Sequence, residues 1–304
     1  MKNIIIIASL LFLNVCMAQQ EAQYSQYMYN TMTVNPAYAG SRGVLSFNGL
    51  YRSQWVGLEG APKTEAFNLH MPVSYRVGAG ISVVNDELGP THETAVDAVF
   101  SYTIPTSVNG NLSFGLKAGA HLLSVDFEQL AKYQNEPSDP NSNIDRQFSP
   151  TVGAGVYYHT DRFYAGLSVP NIIETQHFEN SSASIARERM HFYLIAGHVF
   201  DLDPDWKLKP AVLSKIVQGA PLQVDVSANF WYKEKVTLGA SYRWSAAWSA
   251  MAAFNISDEI MLGFAYDKET TDLGNTSFND GSFEFLLRVE LFSKFGQLIS
   301  PRFF

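Results

Sequence analysis

Alternation of apolar and polar residues with a period of two is the feature that most constrains how this 304-residue chain can fold. It runs through long segments such as 111–124, where Leu112 and Phe114 alternate with Ser113 and Lys117. A period of two places successive side chains on opposite faces of a strand, whereas a helix repeats every 3.6 residues. One face of each segment therefore suits lipid or an apolar core, and the other suits water.

The same pattern recurs along the chain and predicts about fourteen strands. They are expected at 44–52, 64–72, 74–84, 93–104, 111–124, 148–159, 162–170, 190–200, 205–217, 221–233, 235–244, 246–257, 259–267 and 282–292. An even number of strands of about ten residues is typical of bacterial outer-membrane barrels. We therefore predict an all-β transmembrane outer-membrane β-barrel of about fourteen antiparallel strands with a plug-like N-terminal segment. A soluble β-sandwich is the alternative.

The lengths of the connections alternate in the way that an outer-membrane barrel requires, with short periplasmic turns and longer external loops. Short turns are expected at 71–74, 105–110, 159–162, 202–205, 232–235 and 257–259. Long connections are expected at 53–63, 85–92, 126–147, 171–189 and 268–281.

The N-terminus predicts export. Lys2 precedes the apolar run Ile4–Val15, and Cys16-Met17-Ala18 fits signal-peptide cleavage before Gln19. A lipoprotein acylated at Cys16 is the alternative. We predict a signal peptide at 1–18, a plug or leader segment at 19–43, and a barrel at 44–304 that ends in a short periplasmic tail. Cleavage at Ala18 leaves no cysteine, and a net charge of −8 argues against nucleic acid as a partner.

The period-two reading places many charged residues on inward faces. They are Arg52, Arg76, Asp97, Lys117, Lys207, Lys209, Lys215, Asp225, Arg243, Glu284, Arg288 and Glu290. We expect solvated or paired lumen residues, because no spacing fixes two carboxylates at a catalytic separation. The seven histidines have no metal-ligand spacing, and there is no Gly-x-Ser-x-Gly elbow. The prediction is no catalytic residue, no cofactor and no metal.

The stretch QYSQYMYNTMTVNPAYAGSRG, at 23–43, is rich in aromatic and amide side chains and has almost no charge. Only about eight strands can be closed by their own side chains, so a fourteen-stranded lumen needs filling. We predict that this stretch is a plug whose contacts come from Tyr24, Gln26, Tyr27, Tyr29, Asn35, Pro36, Tyr38 and Arg42. A disordered leader is the alternative. Alternating glycines at Gly78-x-Gly80 and Gly153-x-Gly155 mark a strand bend or the close approach of another segment.

A second candidate surface is the first long connection. Arg52, Gln54, Trp55 and Pro62 combine an aromatic ring, an arginine and a rigid turn, which are features of binding surfaces. We predict that they bind a partner. The alternative is a loop packed onto the barrel mouth.

Four motifs carry a resemblance to a known family. They are the 23–43 stretch, YRSQWVGLEGAPKT at 51–64, NDELG at 85–89 and SPRFF at 300–304. The chain resembles the PorP/SprF family of type IX secretion system membrane proteins. The resemblance implies a non-enzymatic outer-membrane barrel of Bacteroidota that serves secretion and gliding motility.

The resemblance implies two possible roles. One is to engage the C-terminal domain of a secreted adhesin for export or surface attachment, which is the role of the larger branch of the family. The other is to link periplasmic components of the secretion ring. The expected partners are thus outer-membrane lipid and either the adhesin domain or those periplasmic components. A passive channel and a barrel enzyme are the alternative functions.

Overall fold

The computed structural model describes residues 23–126, 143–173, 190–276 and 279–291. The predicted signal peptide, the predicted C-terminal tail and most of the connections at 126–147 and 171–189 lie outside these residues. Within them, no helix is both long enough and apolar enough to cross a membrane.

The described chain is built almost entirely of strands. They are β1 Leu45–Ser53, β2 Lys63–Ser74, β3 Val77–Leu88, β4 Thr91–Pro105, β5 Asn111–Val125, β6 Ile144–His159, β7 Phe163–Val169, β8 His191–His198, β9 Phe200–Asp201, β10 Trp206–Val217, β11 Gln223–Tyr232, β12 Val236–Arg243, β13 Ala247–Asn255, β14 Ile260–Glu269 and β15 Ser282–Leu291. β8 and β9 pair with the same neighbour, β10, and are separated only at Val199. The fifteen segments therefore occupy fourteen positions in the sheet.

Antiparallel pairing closes the sheet into a ring. Each strand pairs with its neighbour in sequence, and the last strand pairs with the first, with Leu45 opposite Leu291 and Ser53 opposite Phe283. A ring has no free edge, so every strand finds backbone partners on both sides, which is what a bilayer demands of a spanning sheet. The predicted all-β, fourteen-stranded barrel is confirmed.

The barrel has apolar side chains on its outer face and polar side chains on its inner face, which is the reverse of the arrangement in a soluble protein. On β15, Phe285 is 52% exposed on the outer face, whereas Glu284 is fully buried and Arg288 is 6% exposed on the inner face. On β5, Leu116 is 59% exposed and Ser113 is buried. The apolar face is thus turned outward toward lipid, and the polar face is turned into the barrel.

Short turns gather at one end of the barrel, as predicted. One connection that we expected to be long, at 85–92, is instead short. The segment 85–92 is a hairpin in which β3 runs to Leu88 and β4 begins at Thr91, with Gly89 at a φ of 55° in the turn. Asn85, Asp86 and Glu87 pair directly with β4. These residues are polar on both faces, so alternation fails where a strand continues beyond the apolar zone.

Two of the tightest turns use non-glycine residues in the left-handed region. Lys233 and Glu234, between β11 and β12, have φ values of 49° and 58°, and Ser245, between β12 and β13, has a φ of 55°. Such turns match the twist of the flanking strands and favour Asn or Gly. Each residue with a side chain costs about 1–2 kcal/mol there relative to the right-handed region.

Substitution Ser245→Gly is expected to stabilise the barrel by about 1 kcal/mol, because glycine adopts a positive φ without a steric penalty. Urea titration in lipid vesicles, followed by tryptophan fluorescence, measures this difference. Ser257→Gly is the matched control, since its hydroxyl accepts hydrogen bonds from the amides of Glu259 and Ile260, both at 3.2 Å. The control should lose stability, and a loss of stability in both variants would contradict the prediction.

Candidate functional site in the barrel lumen

Residues 23–43, called here the N-terminal segment, precede β1 and are almost entirely buried. Two short 3-10 turns shape the segment, at Thr31–Thr33 and Pro36–Tyr38. Asn35 begins the second turn, because its side chain accepts a hydrogen bond from the amide of Ala37 at 2.9 Å while Pro36 has no amide hydrogen to satisfy. The local sequence therefore specifies a compact, turning path rather than a strand.

The segment begins at the end of the barrel where the long connections lie. Gln23 donates to Gln223, at the start of β11, over 2.8 Å. The amides of Ser25 and Gln26 then both donate to the Glu284 carboxylate, at 2.9 and 2.8 Å. Glu284 thus holds two consecutive backbone groups of the segment from the inner face of β15.

Further along, the segment bonds to strands on several sides of the ring. Asn68 of β2 donates to Asn30 at 2.8 Å, and Ser168 of β7 donates to the Val34 carbonyl at 2.6 Å. Ser101 of β4 donates to the Ala39 carbonyl at 2.6 Å. Because these strands lie around the ring and face inward here, the segment occupies the lumen. It ends at the short-turn end, where β1 begins.

Inward-facing glycines make room for this path. A Cβ at Gly78 would clash with the Ala39 carbonyl, one at Gly115 with the backbone of Ala37, and one at Gly155 with the Asn35 side chain. At Gly80 it would press on Met32 and at Gly263 on Gln26. The prediction that Gly78, Gly80 and Gly155 mark the close approach of another segment is confirmed. At Gly153 the neighbour is Pro170.

The main charge cluster joins the segment to the seam between the first and last strands. Arg52 of β1 contacts Asp267 of β14 at 2.6 Å and Glu284 of β15 at 3.1 Å, and all three side chains are almost completely buried. The Ser25 hydroxyl donates to Asp267 at 2.6 Å and accepts from Arg52 at 3.2 Å. Removing one member of a buried ion cluster typically costs about 3–5 kcal/mol, because it leaves an uncompensated charge.

A second ion pair holds the other end of the segment. Arg42 binds Glu290 through two nitrogens, at 2.6 and 3.0 Å. This bidentate geometry is the strong form of the arginine–carboxylate interaction. Glu284 and Glu290, both on β15, therefore anchor the start and the end of the segment.

Other inward charges are paired across neighbouring strands. Lys117 contacts Asp97 at 2.8 Å, and Asp97 also accepts from Thr151 at 2.5 Å. Arg243 contacts Asp225 at 2.9 Å. Arg76 is the exception to the predicted set, because it lies exposed in the turn between β2 and β3 and donates to the Tyr102 hydroxyl. The period-two reading fails there because the strand has ended.

Aromatic residues of the segment fill the space between these polar contacts. Tyr38 packs edge-on against His70 and Tyr157, each with ring centroids 5.5 Å apart. Lys209 lies 5.3 Å from the Tyr29 ring centroid. All the predicted contact residues are buried: Tyr24, Gln26, Tyr27, Tyr29, Asn35, Pro36, Tyr38 and Arg42.

The four residues of the predicted partner surface, Arg52, Gln54, Trp55 and Pro62, do not share one exposed face. Arg52 faces the lumen in the ion cluster described above, so its side chain is not presented at the rim, and Pro62 is buried. Gln54 and Trp55 are half-buried, and the indole nitrogen of Trp55 donates to Glu269. Arg52 is on the inner face because alternation along β1 continues to the end of the strand.

Three connections meet at this rim. The amide of Val56 donates to Gly281 at 2.9 Å, and the amide of Asp280 donates to Val56 at 2.8 Å. The amide of Gly89, in the turn between β3 and β4, donates to Gly60 at 2.9 Å. The first long connection is therefore tied to its two neighbours, while Gly57, Glu59 and Gly60 stay exposed.

Arg52 and Ser25 bridge two lumen carboxylates, because both of them bind oxygens of Asp267 and of Glu284. Among residues 23–126, 143–173, 190–276 and 279–291, no group of three or more metal-ligating side chains is found.

Comparison with known proteins identifies a family. A family model described as "Type IX secretion system membrane protein PorP/SprF" matches residues 16–289. No curated protein matches the sequence.

Similar solved structures include the outer membrane protein Omp33 of Acinetobacter baumannii, with 9% identity, a TM-score of 0.46, and 82% of this chain and 100% of that chain covered. The monoaromatic hydrocarbon channel CymD has 11% identity and a TM-score of 0.48, with 88% and 92% covered. The Ralstonia pickettii toluene transporter TbuX has 9% identity and a TM-score of 0.47, with 86% and 92% covered.

Substitution Gly115→Val is expected to displace the N-terminal segment, because the new side chain would occupy the position of Ala37. Overpacking of this kind costs about 1–3 kcal/mol. Trypsin cleavage after Arg42, the only basic residue of the segment, should then become roughly tenfold faster, since about 1.4 kcal/mol changes the open population tenfold.

Gly49→Val is the matched control for this experiment. A Cβ at Gly49 meets only the Phe47 ring, at 3.8 Å or more, so the segment should stay protected. Equal cleavage rates in Gly115→Val and the control would show that the segment does not pack against β5.

Proposed function

Since the chain belongs to the PorP/SprF family of type IX secretion system membrane proteins and folds as an outer-membrane β-barrel, we propose that it is a non-enzymatic docking component of this machinery. In this proposal the barrel is an anchor for other proteins and does not carry solutes. The chain reaches the outer membrane by means of the signal peptide at 1–18, in a bacterium of the Bacteroidota.

The occupied lumen is the observation that carries this proposal. A pore needs a continuous water path, but here the N-terminal segment bonds to β2, β4, β7, β11 and β15 across the interior. The Arg42–Glu290 ion pair holds one end of the segment, and hydrogen bonds from the Ser25 and Gln26 amides to Glu284 hold the other. This arrangement favours a sealed barrel over the passive channel that we considered as an alternative.

A barrel enzyme is the less favoured alternative. A catalytic carboxylate needs access to substrate, but Glu284 is fully buried and is occupied by two backbone amides and Arg52. We propose that the lumen carboxylates hold the segment and that the barrel performs no catalysis.

The partners that we propose are those of the family. One is the C-terminal domain of a secreted adhesin, engaged for export or surface attachment during gliding motility. The other is a component of the periplasmic secretion ring. The rim around Trp55 supports the first role, because it joins three external connections into one surface that exposes Gly57, Glu59 and Gly60.

Affinity purification from native membranes tests the docking role. We expect the full-length protein to retain a large secreted adhesin or secretion-ring components, as identified by mass spectrometry. Substitution Trp55→Ala should reduce recovery of an adhesin several-fold, because an aromatic anchor at a protein interface commonly contributes about 2 kcal/mol or more.

Trp244→Ala is the control for the rim, since Trp244 is 68% exposed at the same end but lies in a different turn. If neither class of partner is recovered with the unmodified protein, the docking role is wrong. If recovery is the same for the Trp55→Ala variant and the unmodified protein, the rim is not the contact surface.

Deletion of residues 23–40 is expected to open the barrel, because among the described residues this segment fills the space between the inner faces of the strands. Single-channel recording in planar bilayers should show stable conductance for the deletion variant and none for the intact chain. Heat-modifiable migration in gel electrophoresis is the control for a folded barrel. Unchanged conductance in a folded deletion variant would contradict the sealing role of the segment.

A further inference from the structure

The N-terminal segment starts at the external side of the lumen. Gln23 donates to Gln223, the first residue of β11, at 2.8 Å. The Ser25 hydroxyl then donates to Asp267, two residues before the end of β14, at 2.6 Å. β11 begins and β14 ends at the end of the barrel that carries the long connections, and in an outer-membrane barrel this end faces the outside of the cell.

Later residues of the segment lie progressively closer to the short turns. Asn30 accepts a hydrogen bond from Asn68, in the middle of β2, at 2.8 Å. The Ala39 carbonyl occupies the place that a Cβ of Gly78, the second residue of β3, would take. The chain then enters β1 at Leu45, also at the short-turn end. The contacts thus follow the order of the chain from one end of the barrel to the other.

The segment crosses the lumen once and does not return. Arg52, which donates to Ser25, lies seven residues beyond Leu45 on β1, so the path covers about 23 Å at about 3.3 Å per residue. The apolar band of a membrane barrel is about 25 Å tall, so this path spans nearly all of it. A plug that entered and left by the short-turn end would bring its first residues back beside Leu45, whereas here they lie at the opposite end.

Burial changes where the segment begins. Gln23 is half-buried, whereas every residue from 24 to 32 is buried. Its partner Gln223 is also half-buried, and it follows the short external connection at 218–222. The neighbouring external turn, Trp244–Ala246, is short as well. Within the described chain, Gln23 is therefore open to the external side.

We propose that the segment is threaded through the barrel with its beginning at the cell surface, where Gln23 is a contact point for the secreted partner. The threading rests on the geometry of the barrel alone, whereas the contact rests on the docking role proposed above. A polypeptide that docks at the long-connection end meets the beginning of the segment directly. A periplasmic component meets the short turns instead, such as the one that contains the exposed Val108.

Labelling of single cysteines on intact cells tests the threading. Cys16→Ser removes the only cysteine of the sequence, and Gln23→Cys, Glu59→Cys or Val108→Cys then adds one. Glu59 is exposed at the long-connection end and Val108 is exposed in the turn at 105–110, so these two positions are the matched controls. With a membrane-impermeant maleimide, Gln23→Cys and Glu59→Cys should react on intact cells, and Val108→Cys should react only after the outer membrane is permeabilised.

An epitope inserted directly before Gln23 covers the case in which the half-buried thiol reacts slowly. An antibody should bind this epitope on intact cells, with heat-modifiable migration as the check for a folded barrel. Detection of the epitope only after permeabilisation would overturn the threading. Reaction of Val108→Cys on intact cells would overturn it as well, because the short turns would then face outward.

A photo-cross-linking amino acid at position 23 tests the contact, with position 108 as the control. Position 23 should capture the same secreted protein that affinity purification recovers, and position 108 should not. If purification recovers that protein but position 23 captures nothing, the contact is wrong and the docking role stands. If purification recovers no partner at all, the contact is wrong together with the docking role, and the labelling experiment still decides the threading.

Discussion

The width of a fourteen-stranded ring is the constraint on which the rest of the structure depends. The wall must turn apolar residues toward lipid, so its inner face is polar, and its own side chains are too short to meet across the centre. Buried polar groups need partners, and here the N-terminal segment supplies many of them, from the amides held by Glu284 to the guanidinium of Arg42. The N-terminal segment therefore fills the lumen and satisfies its polar groups with the same contacts.

Much of the fold could be predicted from the sequence because one face of each strand meets lipid. Lipid contact enforces strict alternation, and the expected strands agree with the observed ones to within a few residues. The prediction failed at 85–92, where β3 and β4 continue past their apolar stretches as a paired, polar hairpin. Water on both sides removes the selection for alternation, so a regular hairpin there looks like a polar loop.

The candidate site was only partly predictable, for reasons that particular residues make clear. The composition of the N-terminal segment indicated a lumen filler, and the glycines opposite it are a usable sequence signal, since Gly78, Gly80 and Gly155 recur on inward faces. Arg52 shows what the sequence alone could not decide about the site. Alternation along β1 placed it inside, but its nearness to Trp55 suggested the rim, and only the cross-strand register with Asp267 and Glu284 decides between them.

The position of the main ion cluster has a mechanical consequence. The ring closes between β1 and β15. Arg52 of β1 forms ion pairs with Glu284 of β15 and Asp267 of β14. Glu284 also accepts a hydrogen bond from the Ser25 amide, in the segment that precedes β1. Parting this junction would break the backbone ladder between β1 and β15 and leave Arg52 without its counter-ions inside a low-dielectric wall. This junction is therefore expected to resist parting more strongly than a strand pair that is joined by backbone hydrogen bonds alone.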